Sequence, residues 1–565
     1  MTFSSFANKL DSLKGVTSRL TITAEIATLL GQVKGKELSD VCYLLTGSLA
    51  PTYEGVVFQI ADNMMIEAIS NAFLKEKPIV QSDYKAKGDL GDVVYEYATR
   101  TMSDLSVSQV FDELFLIAKE SGEASQERKV AGLVKLLTSL DKVGAQYLVR
   151  IVLGNLRLGF SDKTILDALA SLVSGDKKEL TRAYEVIPDI GKLAVSVVEK
   201  GYSQTVKNPM PVIGTPVMPM LAQRMKSPTD MIKKMGKVAI EPKFDGLRVL
   251  IHFDRKAQTV KAFTRNMNDI SDMFPELSEM GKWIKADKII LDTEGVGLDS
   301  ERLALADFQT TMQRRRKHEI TQMQTEIPIQ FQVFDVLLID ETNMMQVSYE
   351  DRRKKMAETL VSGELFRIDE YWVTDDPEVI TSKHKELRSQ GLEGVIVKKI
   401  DSTYVPGRLG WRWVKMKEAE EATGKLSDTV DCVIMGYTQG QGKRAAFGIG
   451  QFLVGILHGE TIETVSKVGT GLTDDQFKEL ESRLTKIKVD TMPENFSVHK
   501  NLTPDFWVKP EVVVELAADD ITVSPNHTAG YALRFPRLVT FRDDKSVKQI
   551  TTFEELVELF KLQKV

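Results

Sequence analysis

The spacing of apolar positions changes twice along this chain, and the changes divide it into three. Over residues 4–202 apolar side chains recur every three or four positions, as in 107–118, 130–140 and 145–156, the period of a helix with one buried face. No stretch there alternates long enough to make a strand, so the spacing predicts an all-α domain. Two turns within it carry helix-start chemistry. Gly122-Glu123-Ala124-Ser125-Gln126-Glu127-Arg128-Lys129 enters a helix with Ser125 as the expected cap, and Gly154-Asn155-Leu156-Arg157-Leu158-Gly159-Phe160-Ser161 precedes a helix over 163–172. Exposed N–H groups at such starts bind phosphate, although plain capping explains the same residues.

Residues 205–220 hold Pro209, Pro211, Gly214, Pro216 and Pro219 and read as a linker. Beyond them strand-like runs at 237–242, 247–253, 258–264, 288–296, 327–339 and 394–398 interleave with helical runs at 271–285, 303–316, 349–360 and 377–390. This predicts an α+β domain with antiparallel sheets. A charged, small-residue stretch at 418–424 closes it. Short strands between glycine turns follow at 432–436, 452–458, 464–468, 512–516 and 538–541, with a last helix at 552–561, a pattern that suits a small β-barrel. The expected domains are 1–212, 213–422 and 423–565.

Composition alters this picture little. A chain of 565 residues needs several cores, and its apolar and charged fractions are those of a globular protein. No apolar run is long enough to span a bilayer and the first residues lack a signal peptide's apolar core, so no membrane partner is expected. Cys42 and Cys432 cannot make a disulfide framework or a four-cysteine zinc module, and the histidines fall at no metal-ligand spacing. A reducing, cytoplasmic setting is expected. The net charge of −6 says little about nucleic acid, because phosphate binding depends on local basic patches.

The candidate chemistry centres on Glu241-Pro242-Lys243-Phe244-Asp245-Gly246-Leu247-Arg248. A lysine at the end of a strand is held rigidly and can act as a covalent nucleophile when its amine is neutral. Lys-x-Asp-Gly alone also occurs in ordinary hairpins. Lys415 and Lys417, two apart in Trp413-Val414-Lys415-Met416-Lys417, share a strand face and would supply a positive field, or simply guard an edge strand. Glu294 and Glu393, each followed by glycine, suit a hard cation such as Mg²⁺, or a turn. Phe334, beside Asp335, could stack on a base or fill a core. The basic run Arg314-Arg315-Arg316-Lys317 would attract phosphate only beside a substrate groove.

Taken in order, these segments resemble the nucleotidyltransferase motifs of the ATP-dependent DNA ligases, with most similarity to the archaeal replicative and eukaryotic members. The motifs are Lys243 to Arg248, Asp292-Thr293-Glu294-Gly295, Phe334-Asp335-Val336-Leu337, Glu393 to Lys398, Trp413 to Lys417 and, in the barrel, Arg534-Phe535-Pro536-Arg537 with Arg542-Asp543-Asp544-Lys545. Residues 121–129 and 154–169 are similar to the family's helical DNA-binding domain. The resemblance implies a DNA-binding domain, an adenylation domain and an OB-fold barrel. It implies an enzyme of replication, repair and recombination, monomeric and nucleoid-associated, acting on nicked duplex DNA with ATP and Mg²⁺. A sliding clamp is a common partner in the family, but the sequence holds no glutamine-led clamp-binding peptide.

Carried over by position, Lys243 would take AMP, Glu241 would read adenine and Phe334 would stack on it. Arg248 and Glu294 would hold the ribose side, Glu294 and Glu393 the metal, Arg265 phosphate, and Asp245 the reacting 3′ end. Lys415 and Lys417 would neutralise the α-phosphate. Arg537, Arg542 and Lys545 would steer pyrophosphate. The family usually has an arginine where this chain has Leu409, so Arg408 is expected to substitute. An RNA ligase or a capping guanylyltransferase would share the lysine chemistry, but the long helical part and the Arg-Phe-Pro-Arg segment weigh against both. An NAD-dependent ligase would be expected to carry four zinc-binding cysteines. A DNA-binding scaffold without catalysis is disfavoured by the intact charged residues of the Lys243 motif.

Overall fold

The computed structural model describes residues 1–156, 158, 161–298, 308–314, 320–407, 410–417, 429–440, 447–469 and 472–562. It divides into two units, Met1–Glu418 and Ala419–Val565.

The first unit begins with thirteen α-helices among the described residues, from Phe3–Ser12 to Tyr202–Val206, around one continuous apolar core. Val107–Lys119 shows how its sequence makes a helix. Ser106 and Gln109 form a reciprocal capping box, and Val107, Val110, Phe111, Leu114 and Ile117 bury one face. The helix Ser125–Ser139 departs from expectation: Ala124, at φ +56°, is the N-cap and Ser125 is already helical. A left-handed residue turns the chain into the helix, so no serine hydroxyl is needed to cap it.

The linker is packed down. Val217 and Met220 are buried, Met218 N–H donates to the Glu185 carbonyl at 2.8 Å, and Gly214 N–H donates to His252 Nδ1 at 3.1 Å. Burial pushes the His252 imidazole down to about 3, so it stays neutral and able to accept that bond.

Two sheets follow. The first has five strands in the order Gln223–Arg224, Trp413–Lys417, Gly394–Lys399, Val238–Lys243, Trp372–Thr374. The second runs Thr259–Thr264, Leu247–Asp254, Lys288–Gly297, Ile329–Ile339, Thr342–Asn343, with Phe366–Ile368 pairing Ile329–Ile339. Pairing is antiparallel except where Gln223–Arg224 meets Trp413–Lys417 and Phe366–Ile368 meets Ile329–Ile339. The run 271–285 is not an α-helix but two 3₁₀ segments, Ser271–Met273 and Pro275–Lys282. Pro275 keeps Phe274 out of the helical region, at φ −127° and ψ 70°, which breaks the run.

The second unit is β-rich. Ten strands lie among its described residues, and the five expected ones correspond to its longer strands Val430–Gln439, Ile449–His458, Thr461–Val468, Val513–Ala517 and Arg537–Phe541. A helix, Asp474–Lys486, was not expected from spacing alone; Thr473 and Gln476 cap it reciprocally.

Candidate active site

A hollow of about 540 Å³ opens between the two sheets of the first unit, a size that suits a nucleotide. One wall comes from the first sheet: Glu241 and Lys243, Ile396 and Lys398, Trp413 and Lys415. The other comes from the second sheet and its loops: Arg248, Thr264, Arg265, Glu294, Phe334 and Asp369. Register explains the first wall. Glu241, Ile396 and Lys415 lie abreast, as do Lys243, Gly394 and Lys417, so alternate residues of three strands share one face.

Lys243 ends the strand Val238–Lys243, and Leu247 begins the next. These strands belong to different sheets, so Phe244-Asp245-Gly246 is a crossing between walls and not a hairpin turn. Gly246 permits the crossing: a Cβ there would lie 2.5 Å from the Gly295 carbonyl oxygen. Its N–H donates to the Glu294 carboxylate. The Lys243 side chain is 19% exposed, and Nζ forms an ion pair with the Glu393 carboxylate.

Glu241 is held differently. It is buried, with Oε2 2.6 Å from Lys398 Nζ, Oε1 accepting from the Tyr349 hydroxyl and Arg353 Nη1 3.5 Å away. Lys398 Nζ also donates to the Phe334 carbonyl at 3.0 Å and lies over the Trp413 ring at 4.3 Å. Arg248 grips Asp292 with two bonds of 2.9 and 2.6 Å and donates to the Met220 carbonyl at 2.7 Å, tying the linker to the second sheet. Tyr404 closes that network, its hydroxyl 2.8 Å from Asp292.

A β-bulge aims Phe334 at the hollow. Asp292 pairs with Asp335 and Thr293 with Val333, leaving Phe334 as the extra residue. Its ring meets Trp413 edge-on at 6.0 Å and Arg248 at 5.4 Å. Burial pushes the Glu294 carboxyl up to about 7, with Lys243 and Arg248 pulling against that rise.

Of the residues expected from sequence, Glu241, Lys243, Arg248, Arg265, Glu294, Phe334 and Lys415 line this one hollow. Glu393 joins through Lys243. Lys417 pairs in register with Gly394, and Asp245 is exposed on the crossing. Arg408, with Leu409, lies outside the described residues, as do Arg315, Arg316 and Lys317 of the basic run and Arg157, Gly159 and Phe160 of the second helix-start turn. Arg314 is buried and paired with Glu276 at 2.5 Å. In the second unit Arg537 lies 2.7 Å from Asp519, Arg542 pairs with Asp431 at 3.2 Å and Asp544 at 2.8 Å, and Lys545 pairs with Asp431.

Sequence reasoning missed Lys398, Tyr349, Arg353, Asp292 and Asp369. Lys398 was legible, since it lies five residues after Glu393 on the strand face that includes Gly394 and Ile396. Asp292 opens a motif read from the sequence, but its grip on Arg248 was not read; Tyr349, Arg353 and Asp369 depend on packing between elements and left no local signal.

Comparison with known proteins agrees with this layout. Three family models match: DNA ligase N terminus over residues 2–170, ATP dependent DNA ligase domain over 219–417, and ATP dependent DNA ligase C terminal region over 445–545. The chain is 38% identical to a probable DNA ligase of Dictyoglomus thermophilum, with 100% of this chain and 98% of that protein covered. It is 34% identical to DNA ligase 1 of Methanosarcina acetivorans, with 99% of each covered. A solved structure titled Pmar-Lig_PreS3 shares the fold at a TM-score of 0.57 and 17% identity, covering 95% of this chain and 99% of that one. The chain belongs to the ATP-dependent DNA ligase family, whose members are enzymes that join DNA ends.

Proposed function

We propose that this protein seals nicks in duplex DNA by carrying AMP on Lys243. The observation that supports this best is the single hollow that gathers Lys243, Arg248, Glu294, Phe334 and Lys415 from four separate stretches of sequence. In the first step the Lys243 amine attacks the α-phosphorus of ATP; an N–P bond forms, the P–O bond to pyrophosphate breaks, and the amine gives up a proton. In the second step an oxygen of the nick's 5′-phosphate attacks the same phosphorus, the N–P bond breaks and Lys243 recovers a proton. In the third the 3′-hydroxyl attacks the 5′-phosphate, and AMP leaves. Each step moves a phosphoryl centre, where positioning and charge neutralisation supply most of the rate.

Glu241, fixed by three neighbours, and Phe334, aimed by its bulge, mark the base end of the hollow. Lys415, which lines the hollow, is assigned to the α-phosphate, and Arg265, exposed on the rim, to phosphate. Asp245 is assigned to the reacting 3′ end. No group of three or more metal-binding side chains occurs among the described residues. Two carboxylates, Glu294 and Glu393, fit Mg²⁺, which keeps several waters and borrows phosphate oxygens. When bound it would neutralise charge on the α-phosphate.

In this reading the helical part grips duplex DNA, with the start of helix Ser125–Ser139 offering N–H groups to phosphate, and the β-rich second unit is an OB-fold barrel. Arg537, Arg542 and Lys545 would exchange their present carboxylate partners for pyrophosphate oxygens. Incubation with α-labelled ATP and Mg²⁺ tests the first step. Label should bind the protein, be absent from Lys243→Ala, and leave when nicked duplex is added, with the strands joined. Label from GTP alone would favour capping chemistry, and joining of RNA but not DNA would make the protein an RNA ligase.

A further inference from the structure

Two of the cations assigned to pyrophosphate are already occupied, and one group holds both. Asp431 lies on the strand Val430–Gln439 of the second unit and is fixed there: its N–H donates to Thr551 Oγ1 at 3.0 Å, and its carbonyl accepts from the Thr551 N–H at 2.9 Å. One oxygen of its carboxylate pairs with Arg542 at 3.2 Å and the other with Lys545. Glu515 sits opposite Asp431 on the neighbouring strand, accepts from Thr429 Oγ1 at 2.8 Å, and lies 3.7 Å from the same Arg542 nitrogen. Asp544 takes the other edge of that guanidinium at 2.9 and 2.8 Å. Two cations thus face three carboxylates, and these five groups together are negative. An anion gains little by approaching them until the cations let go. The side chains of Arg542 and Lys545 are partly exposed, and ion pairs of that kind exchange partners cheaply.

We propose that Asp431 recaptures Arg542 and Lys545 and so drives pyrophosphate off once Lys243 has taken AMP. The proposal rests on the reading that these two cations bind pyrophosphate. A contact that must break before a ligand binds weakens that ligand by the worth of the contact, and re-forming it hastens the ligand's departure. Asp431 acts on both cations at once, because both meet on it. The benefit lies in direction. Reversal of the first step needs pyrophosphate: one of its oxygens attacks the phosphorus held on Lys243, the N–P bond breaks, the amine takes up a proton and ATP re-forms. With the cations back on Asp431, the AMP on Lys243 is kept from surrounding pyrophosphate until a nick arrives.

The test loads full-length protein with labelled AMP, removes free ATP, and follows loss of label against pyrophosphate concentration in Mg²⁺. Asp431→Asn keeps the shape and removes the charge. Its half-saturating pyrophosphate concentration should fall about three- to tenfold, the worth of one or two partly exposed ion pairs. Asp431→Glu, which keeps the charge, should stay near the wild type. Sealing of a nick whose 5′-phosphate already carries AMP neither uses ATP nor forms pyrophosphate, so it should be unchanged in the Asn variant and reports that the variant is folded. An unchanged or higher half-saturating concentration in the Asn variant would overturn the proposal, since mere damage to the fold weakens a site and does not tighten it. If the Asn variant does not seal that nick, Asp431→Thr, neutral and suited to a strand, is read in its place; failure of both would make Asp431 a structural residue and end the proposal. Lys545→Gln keeps the two readings apart. If the wild type takes no label from ATP, the nick-sealing reading fails first. If Lys545→Gln leaves reversal by pyrophosphate unchanged, the assignment of that cation fails. If it weakens reversal while Asp431→Asn does not strengthen it, only the role of Asp431 falls.

Discussion

Glu241 and Lys243 stand two residues apart on one strand and one wall, yet their surroundings are opposite. Glu241 is sealed in, with Lys398, Tyr349 and Arg353 all directed at its carboxylate. Lys243 is partly open to solvent, and it pairs with Glu393, itself 23% exposed. A buried, multiply bonded charge is costly to disturb, whereas a partly exposed pair is better screened and exchanges more cheaply. One end of the hollow is therefore built to hold a shape and the other to change partners.

The sharpest way to break this contrast is Lys243→Ala. Self-adenylation should fall by about 10⁴-fold or more while the fold survives, as read by label transfer and far-UV circular dichroism. Stability should respond in the reverse sense. Lys398→Met strips Glu241 of its closest cation and should cost about 3–5 kcal/mol in denaturant unfolding, whereas Lys243→Met should cost about 1 kcal/mol or less. Equal losses would show that the two ends are not held differently.

Acidity offers a third probe. Glu294 ordinarily titrates near 4.5 and is pushed up to about 7 in the folded protein. Between those values the native state keeps a proton that the unfolded chain has released. Its contribution therefore makes stability fall as pH rises from about 4.5 to 7, with the loss complete above that window. Glu294→Gln should flatten that segment of the curve of unfolding midpoint against pH; an unchanged slope would assign it elsewhere. The smallest effect belongs to Phe334→Ala, which should raise the KM for ATP about five- to tenfold, as expected for losing one stacked ring, with little change in the rate at saturation.

The sequence was most readable where one element carries its own signal. The long strands of the first unit are there within about two residues because each alternates or runs apolar between turn residues. Short strands such as Trp372–Thr374 and Lys488–Val489 carry no period to read. Ser125 looked like a cap because serine usually is one, and Ala124 in a left-handed turn took the position instead. At the site, Lys243, Glu294 and Phe334 were legible from motif order. The clamp on Glu241 was not, since Tyr349 and Arg353 reach it from a helix more than a hundred residues downstream, by packing alone.

The bulge that frees Phe334 has an evolutionary and engineering corollary. Side chains on a strand alternate between faces, so removing one residue there would restore regular pairing and swing the ring into the opposite layer. Chain length in that strand is thus under as strict a requirement as chemical identity: a variant with every motif letter intact but one position deleted between Val333 and Val336 would present its nucleotide with a wall lacking its aromatic plate.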